Sequence, residues 1–220
     1  AKMQVLISQR YFEHEFYDKA VIEYNNYINN YSDVAARAGF DVDKALYYLG
    51  RSYYEQGSTL ISQKQKETGV ESVQQSASTL EKLLKQFPDT DLKQNVYYNL
   101  ALAYQKVATP EMLQKAIDLY NQLLKEYPDS PNKKFCLYQI AAADVELKKY
   151  DDAIALYNKI ISDYPDDQNI DNAWFQMARA YKDSGREEEA IAPFMKISRK
   201  SKQLFTTARL FTAQTYMKGG

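Results

Sequence analysis

From Lys133 to Lys148 the apolar residues Leu137, Ile140, Ala141 and Val145 recur at steps of three and four. That spacing gathers them on one face of an α-helix. Pro131 stands just ahead of them, where a missing backbone N–H does no harm. Tyr150-Asp151-Asp152 reads as a turn whose acids suit the positive end of a following helix. A second apolar face then runs through Ala153, Ile154, Leu156, Tyr157, Ile160 and Ile161 and is closed by Pro165. The double pattern repeats from Asp171 to Lys202, with Gly185 supplying the left-handed residue after the first helix. No stretch keeps a period of two, so no sheet is expected.

The same signals return at a fixed step. Phe87-Pro88-Asp89, Tyr127-Pro128-Asp129 and Tyr164-Pro165-Asp166 end three similar runs, with the prolines 40 and 37 residues apart. Ala116, Ala153 and Ala190 are spaced 37 and 37, each followed four residues later by Tyr120, Tyr157 or Phe194. Ala101, Ala141, Ala178 and Ala213 are spaced 40, 37 and 35. Self-similarity of this length marks a stacked array of supersecondary units. The units fall at about 1–34, 42–90, 93–130, 133–167, 170–204 and a partial 205–220, read as one domain over 1–220. The second carries about fifteen extra residues near Ser58–Glu71, as a longer first helix or a projecting loop, with an excursion into solvent the expectation. Three more extra residues fall in the Val107–Gln114 turn of the third. Phe205–Lys218 reads as the first helix of a further unit, so either this helix caps the array or the chain is a fragment of a longer one, and the fragment is expected.

These residues carry a resemblance to the tetratricopeptide repeat (TPR) family, whose unit is a 34-residue helical hairpin. Trp174, Met177, Ala178, Tyr181, Gly185, Ala190 and Phe194 fall on the family's spacing at every position, while Lys202 stands where its closing proline would be. Leu137, Ile140, Ala141, Ala153, Tyr157 and Pro165 match in the preceding unit, with Asp144 where an aromatic is usual. Leu100, Ala101, Tyr104, Ala116, Tyr120 and Pro128 match in the one before. Leu49, Gly50, Tyr53 and Gly57 match a first helix, and Tyr11, Ala20 and Tyr24 mark a weaker early unit. The resemblance implies an all-α, right-handed TPR solenoid of about five helical hairpins plus a terminal helix. The Pro-Asp endings also resemble those of bacterial envelope TPR proteins, such as the lipoprotein of the outer-membrane β-barrel assembly machinery and the periplasmic Tol-associated coordinator.

In that family the first helices of successive units line a concave groove. The implied groove positions here are Tyr47, Tyr98, Tyr138 and Phe175, with Arg51, Leu102 and Arg179 one helical turn further on. Tyrosine brings a large contact area, little rotamer entropy to lose and a hydroxyl, which suits peptide recognition. Tyr104, Tyr120, Tyr157 and Tyr181 are read as core.

Composition narrows the function classes. The chain is 45% hydrophobic and 26% charged, with 20 Tyr against one Trp, which the recurrent aromatic positions explain. A formal net charge of −1 offers no field for nucleic acid or an anionic membrane. No apolar run approaches the roughly 20 residues of a membrane span. The single histidine, His14, has no nucleophile beside it, and Cys136 has no partner for a disulfide. No phosphate-binding glycine loop, zinc spacing or HExxH is present. Glu187-Glu188-Glu189 reads as the acidic opening of a helix, and Lys196, Arg199, Lys200 and Lys202 as a basic helix end. No enzyme, cofactor or metal is expected. Two readings stand: a scaffold binding a peptide segment or helix of another protein in periplasmic or outer-membrane-associated envelope assembly, and a cytoplasmic TPR adaptor or cochaperone. A cochaperone's carboxylate clamp needs Lys and Asn where Tyr47, Tyr98 and Tyr138 stand.

Overall fold

The computed structural model describes residues 2–37 and 42–219; Ala1 and Gly220, which bound the first and last predicted units, lie outside the described residues. Eleven α-helices and no strand occur among the described residues. They gather into two compact units, Ala1–Tyr127 and Pro128–Gly220. The N-terminal unit holds α1 (Lys2–Glu13), α2 (Tyr17–Arg37), α3 (Val42–Ser62), α4 (Lys66–Gln86), α5 (Lys93–Val107) and α6 (Pro110–Glu126). The C-terminal unit holds α7 (Lys133–Glu146), α8 (Tyr150–Asp163), α9 (Ile170–Asp183), α10 (Ile191–Lys196) and α11 (Lys202–Gly219). Helices pair with their chain neighbours as α1–α2, α3–α4, α5–α6, α7–α8 and α9–α10, and α11 packs against α10 and α9. This is the expected all-α TPR solenoid class, five hairpins and a terminal helix.

Two connection types alternate. Within each hairpin the chain reverses through one residue with positive φ: Glu15 (61°), Lys64 (66°), Ala108 (60°), Lys148 (60°) and Gly185 (81°). A left-handed residue lets the backbone N–H groups that follow a helix fold back onto its last carbonyls. At the fifth hairpin, Gly185 N–H meets the Lys182 carbonyl at 2.9 Å and Arg186 N–H the Tyr181 carbonyl at 2.9 Å. Between hairpins the Pro-Asp endings take over. Phe87, Tyr127 and Tyr164 cap α4, α6 and α8 with near-identical backbone angles. A short polar side chain two residues ahead of the next helix's cap then accepts a backbone N–H. Thr90 Oγ1 takes Leu92 N–H at 3.2 Å, Ser130 Oγ takes Asn132 N–H at 3.1 Å, and Asp167 Oδ1 takes Asn169 N–H at 2.8 Å.

Ala101, Ala116, Ala141, Ala153, Ala178 and Ala190 are all 0% exposed, so each of these recurring small residues lies in the packed interior. Ala213, on the same step, is exposed, because α11 has no hairpin partner after it among the described residues. Tyr104, Tyr120 and Tyr157 are buried. Tyr181 is only half-buried, its ring covered by the Arg186 guanidinium at 5.0 Å.

Four local readings need correction. The extra residues near Ser58–Glu71 form no solvent loop: they lengthen α3 and α4 to 21 residues each, with a three-residue reversal between them. Gly57 and Gly69 permit this, since a Cβ on Gly57 would lie 2.5 Å from the Gly69 carbonyl oxygen and one on Gly69 2.7 Å from that of Gly57. The extra residues near Val107–Gln114 likewise enter α6, which starts at Pro110 with Thr109 as its N-cap. Tyr150-Asp151-Asp152 is the first turn of α8, the reversal being Leu147–Lys149. Glu187-Glu188-Glu189 does not open a helix either; it lies in a turn, and α10 is six residues long. Pro193 explains the short helix, because it has no N–H to offer the Glu189 carbonyl and so prevents a helix from starting earlier.

Candidate functional site: the open faces of the first helices

In the N-terminal unit, α3 and α5 carry four of the predicted groove residues. Tyr47 is 8% exposed, and its hydroxyl accepts the Asn99 amide at 3.2 Å, so it belongs more to the core than to an open surface. Burial pushes its pKa up. The Arg51 guanidinium lies over the rings of Phe12 at 4.8 Å and Tyr47 at 5.9 Å. Tyr98 and Leu102 are half-buried, and the Tyr98 ring leans on Tyr120 at 6.2 Å.

The C-terminal unit has a defined cavity of about 520 Å³ between α7 and α9. One wall is α7, which lines it with Phe135, Tyr138, Ala142 and Val145 at helical steps of three and four. The other wall is α9, with Asn172, Gln176 and Arg179. Tyr157, 2% exposed, reaches up from α8. Tyr138 is half-buried, its hydroxyl donates to the Asn169 carbonyl at 3.5 Å, and burial together with the nearby Asp167 carboxylate raises its pKa to about 12. Burial also raises the pKa of Tyr157. Lys134 pairs with Asp167 across the mouth. Both tyrosines are therefore neutral hydroxyls at physiological pH, able to donate or accept but not to act as bases.

Phe175 does not join Tyr138 in this cavity. It faces a second one of about 300 Å³ between α9 and α11, with Phe194, Leu210 and Phe211, and Arg179 borders both. The line of Tyr138, Phe175 and Arg179 inferred from sequence is thus divided between the two sides of α9. Sequence reasoning missed Asn172 and Gln176, although they share a face with Arg179 at steps of four and three.

The other candidates are placed plainly. His14 is exposed in the α1–α2 reversal. Cys136 is buried, which pushes its thiol up to about 12. Among the described residues, no three His, Cys, Asp or Glu side chains stand together as a metal site, and no helix is long and apolar enough to cross a membrane.

Stacked helix hairpins whose first helices wall open, amphipathic grooves define a tetratricopeptide repeat protein, a class built for binding other proteins. The chain belongs to the YfiO family, described as outer membrane lipoprotein, which matches residues 1–113, just over half of its 220 residues. Tetratricopeptide repeat families match residues 135–167 and 171–198. Among solved structures, MamA protein is similar at 19% identity and a TM-score of 0.66, covering 92% of each chain. TPR-like repeats of a kinesin light chain from Podosopora anserina are similar at 16% identity and a TM-score of 0.63, covering 98% of this chain and 96% of that one. At such identities these likenesses speak for the fold. No curated protein matches by sequence.

Proposed function

We propose that the protein is a protein–protein interaction scaffold of the bacterial envelope, holding a peptide segment or helix of a partner against the open faces of its first helices. Its place of action is the periplasmic side of the outer membrane, in envelope assembly. The observation that carries the binding role is the α7–α9 cavity, where the Tyr138 ring, the small Ala142 and the Arg179 guanidinium border one recess. In the N-terminal unit, Arg51, Tyr98 and Leu102 stand at the corresponding repeat positions, and Tyr47 is buried. Membership of an outer membrane lipoprotein family supports the location.

A photo-crosslinking residue placed at Tyr98, at Tyr138 and, as a control, at the exposed Asn158 of α8 tests this reading in cells. Adducts to one partner are expected from the first two positions and not from the third, in the outer-membrane fraction. With that partner, Tyr138→Ala should weaken binding by about 2 kcal/mol, the range of an interface hot spot. Tyr157→Ala should instead cost roughly 3–5 kcal/mol of stability as a core truncation. If Tyr98→Ala and Tyr138→Ala bind like the parent, or unfold as easily as Tyr157→Ala, the groove is not the binding face.

A further inference from the structure

Acidic and basic residues are not evenly mixed along this chain. After Glu189 no Asp or Glu occurs, while residues 190–220 carry Lys196, Arg199, Lys200, Lys202, Arg209 and Lys218. The remaining 22 Lys and Arg stand against all 29 Asp and Glu, so the formal net charge of −1 hides an acidic body and a basic end. A surface charge is felt over about 8 Å at physiological ionic strength, so that end acts by its own sign.

The fold gathers this charge at one corner. α10 ends at Lys196 and α11 starts at Lys202. The turn between them is held by Asp171, which accepts the Ser198 N–H at 2.9 Å and the hydroxyls of Ser198 and Ser201 at 2.6 and 2.7 Å. These bonds occupy the carboxylate, which is buried. Lys196, Arg199, Lys200 and Lys202 are exposed, and among the described residues neither they nor Arg209 form an ion pair. The Phe205 ring takes the place of a counter-ion, with the Arg199 guanidinium 5.9 Å and the Arg209 guanidinium 4.7 Å from its centre. A guanidinium resting on a ring keeps N–H donors at its edge, and its planar fork fits phosphate. Met195, 50% exposed, touches Arg209 and adds an apolar side chain to the same corner.

Two kinds of anion could meet such a corner, an acidic protein segment or a membrane surface, and magnitudes favour the second. An exposed ion pair orders two long side chains and gains between almost nothing and about fivefold in affinity. Apolar burial supplies the rest at a protein interface, and the turn offers only Met195 and the Phe205 ring for it. An anionic bilayer attracts each nearby Lys or Arg by about fivefold, with no partner side chain to order. Membership of an outer membrane lipoprotein family favours the bilayer as well. We infer that the α10–α11 corner docks on anionic phospholipid headgroups. Arg199 and Arg209 meet phosphate groups there, while Lys196, Lys200 and Lys202 lie in the surface field. This docking rests on the proposed envelope location but not on the groove.

The test sediments the full chain with vesicles of phosphatidylcholine alone or mixed with phosphatidylglycerol. Binding is expected to the mixed vesicles only, and it should weaken as salt is raised. Lys196→Gln, Arg199→Gln and Lys202→Gln together should weaken it by about 100-fold. Lys82→Gln, Lys85→Gln and Lys125→Gln, at exposed positions of α4 and α6, change the net charge equally and should bind like the parent. Melting curves verify both folds; should the first variant melt early, Lys196→Gln alone, at about fivefold, carries the test. Absence of binding to the mixed vesicles, equal binding to neutral ones, or equal loss in the two variants would overturn the inference. So would binding of a capped oligoglutamate peptide, lost in the first variant, without binding to vesicles: the corner then belongs to an acidic protein segment. Tyr98 and Tyr138 are unchanged throughout, so crosslinking from them fails or succeeds independently of the vesicle result.

Discussion

Two buried aspartates of the C-terminal unit carry opposite pH signatures. Asp144 on α7 is 5% exposed, and burial lifts its pKa to about 6 against the pull of Lys149, with Asp152 adding to the rise. Its folded pKa lies above the unfolded value, so its contribution is fully present below about pH 4 and is lost as pH rises through 6. Asp144→Asn should abolish that loss, gaining up to about 3 kcal/mol relative to the parent between pH 4 and pH 8 in denaturant titrations. Asp171 opens α9 and is also buried, yet the hydrogen bonds reverse the outcome. Burial alone would raise its pKa, but bonds from Ser198 Oγ at 2.6 Å, Ser201 Oγ at 2.7 Å and Ser198 N–H at 2.9 Å hold it below the usual carboxylate range. Its contribution is present above that range and disappears as pH falls through the lowered value. Asp171→Ala should cost about 1–3 kcal/mol at pH 7 and progressively less on acidification. Asp144 was visible in the sequence as a carboxylate at an aromatic position. Asp171 was not, because its partners lie 27 and 30 residues downstream and share no periodic position with it.

The hairpins show which constraints a repeat enforces and which it leaves to context. All five reversals need a left-handed residue, and only the fifth uses glycine. An L-residue there carries a strain of about 1–2 kcal/mol, partly offset by the lower entropy of its unfolded chain. Lys148→Gly should therefore raise stability by roughly 0.5–1 kcal/mol, while Gly185→Ala should lower it by about the same amount although no atom lies within 4 Å of the added Cβ. Close approaches respond differently. Ala141→Leu or Ala178→Leu should cost on the order of 1–3 kcal/mol through overpacking, and Gly57→Ala a similar amount because its Cβ would meet backbone rather than a mobile side chain. Thermal melts of this set check both statements together. The helical periods announced these close approaches, whereas the fate of the extra residues stayed open. Ser58–Glu71 contains no proline, so only the mutual contact of Gly57 and Gly69 reveals that the two helices remain zipped.

For the whole molecule, the chain's repetition made the architecture legible: each of the last four hairpins has an Ala, an aromatic or a Pro-Asp ending on a step of 37 to 40 residues. The candidate site was legible only on its aromatic wall. Phe175 and Tyr138 occupy equivalent repeat positions, and equivalence in a periodic array puts them in successive grooves rather than in one. Arg179 is the exception, because its side chain reaches the recesses on both sides of α9. Its five N–H donors face two recesses at once. Two segments lodged on either side of α9 would share that guanidinium, and any effect of one on the other's affinity would act by the same factor in both directions.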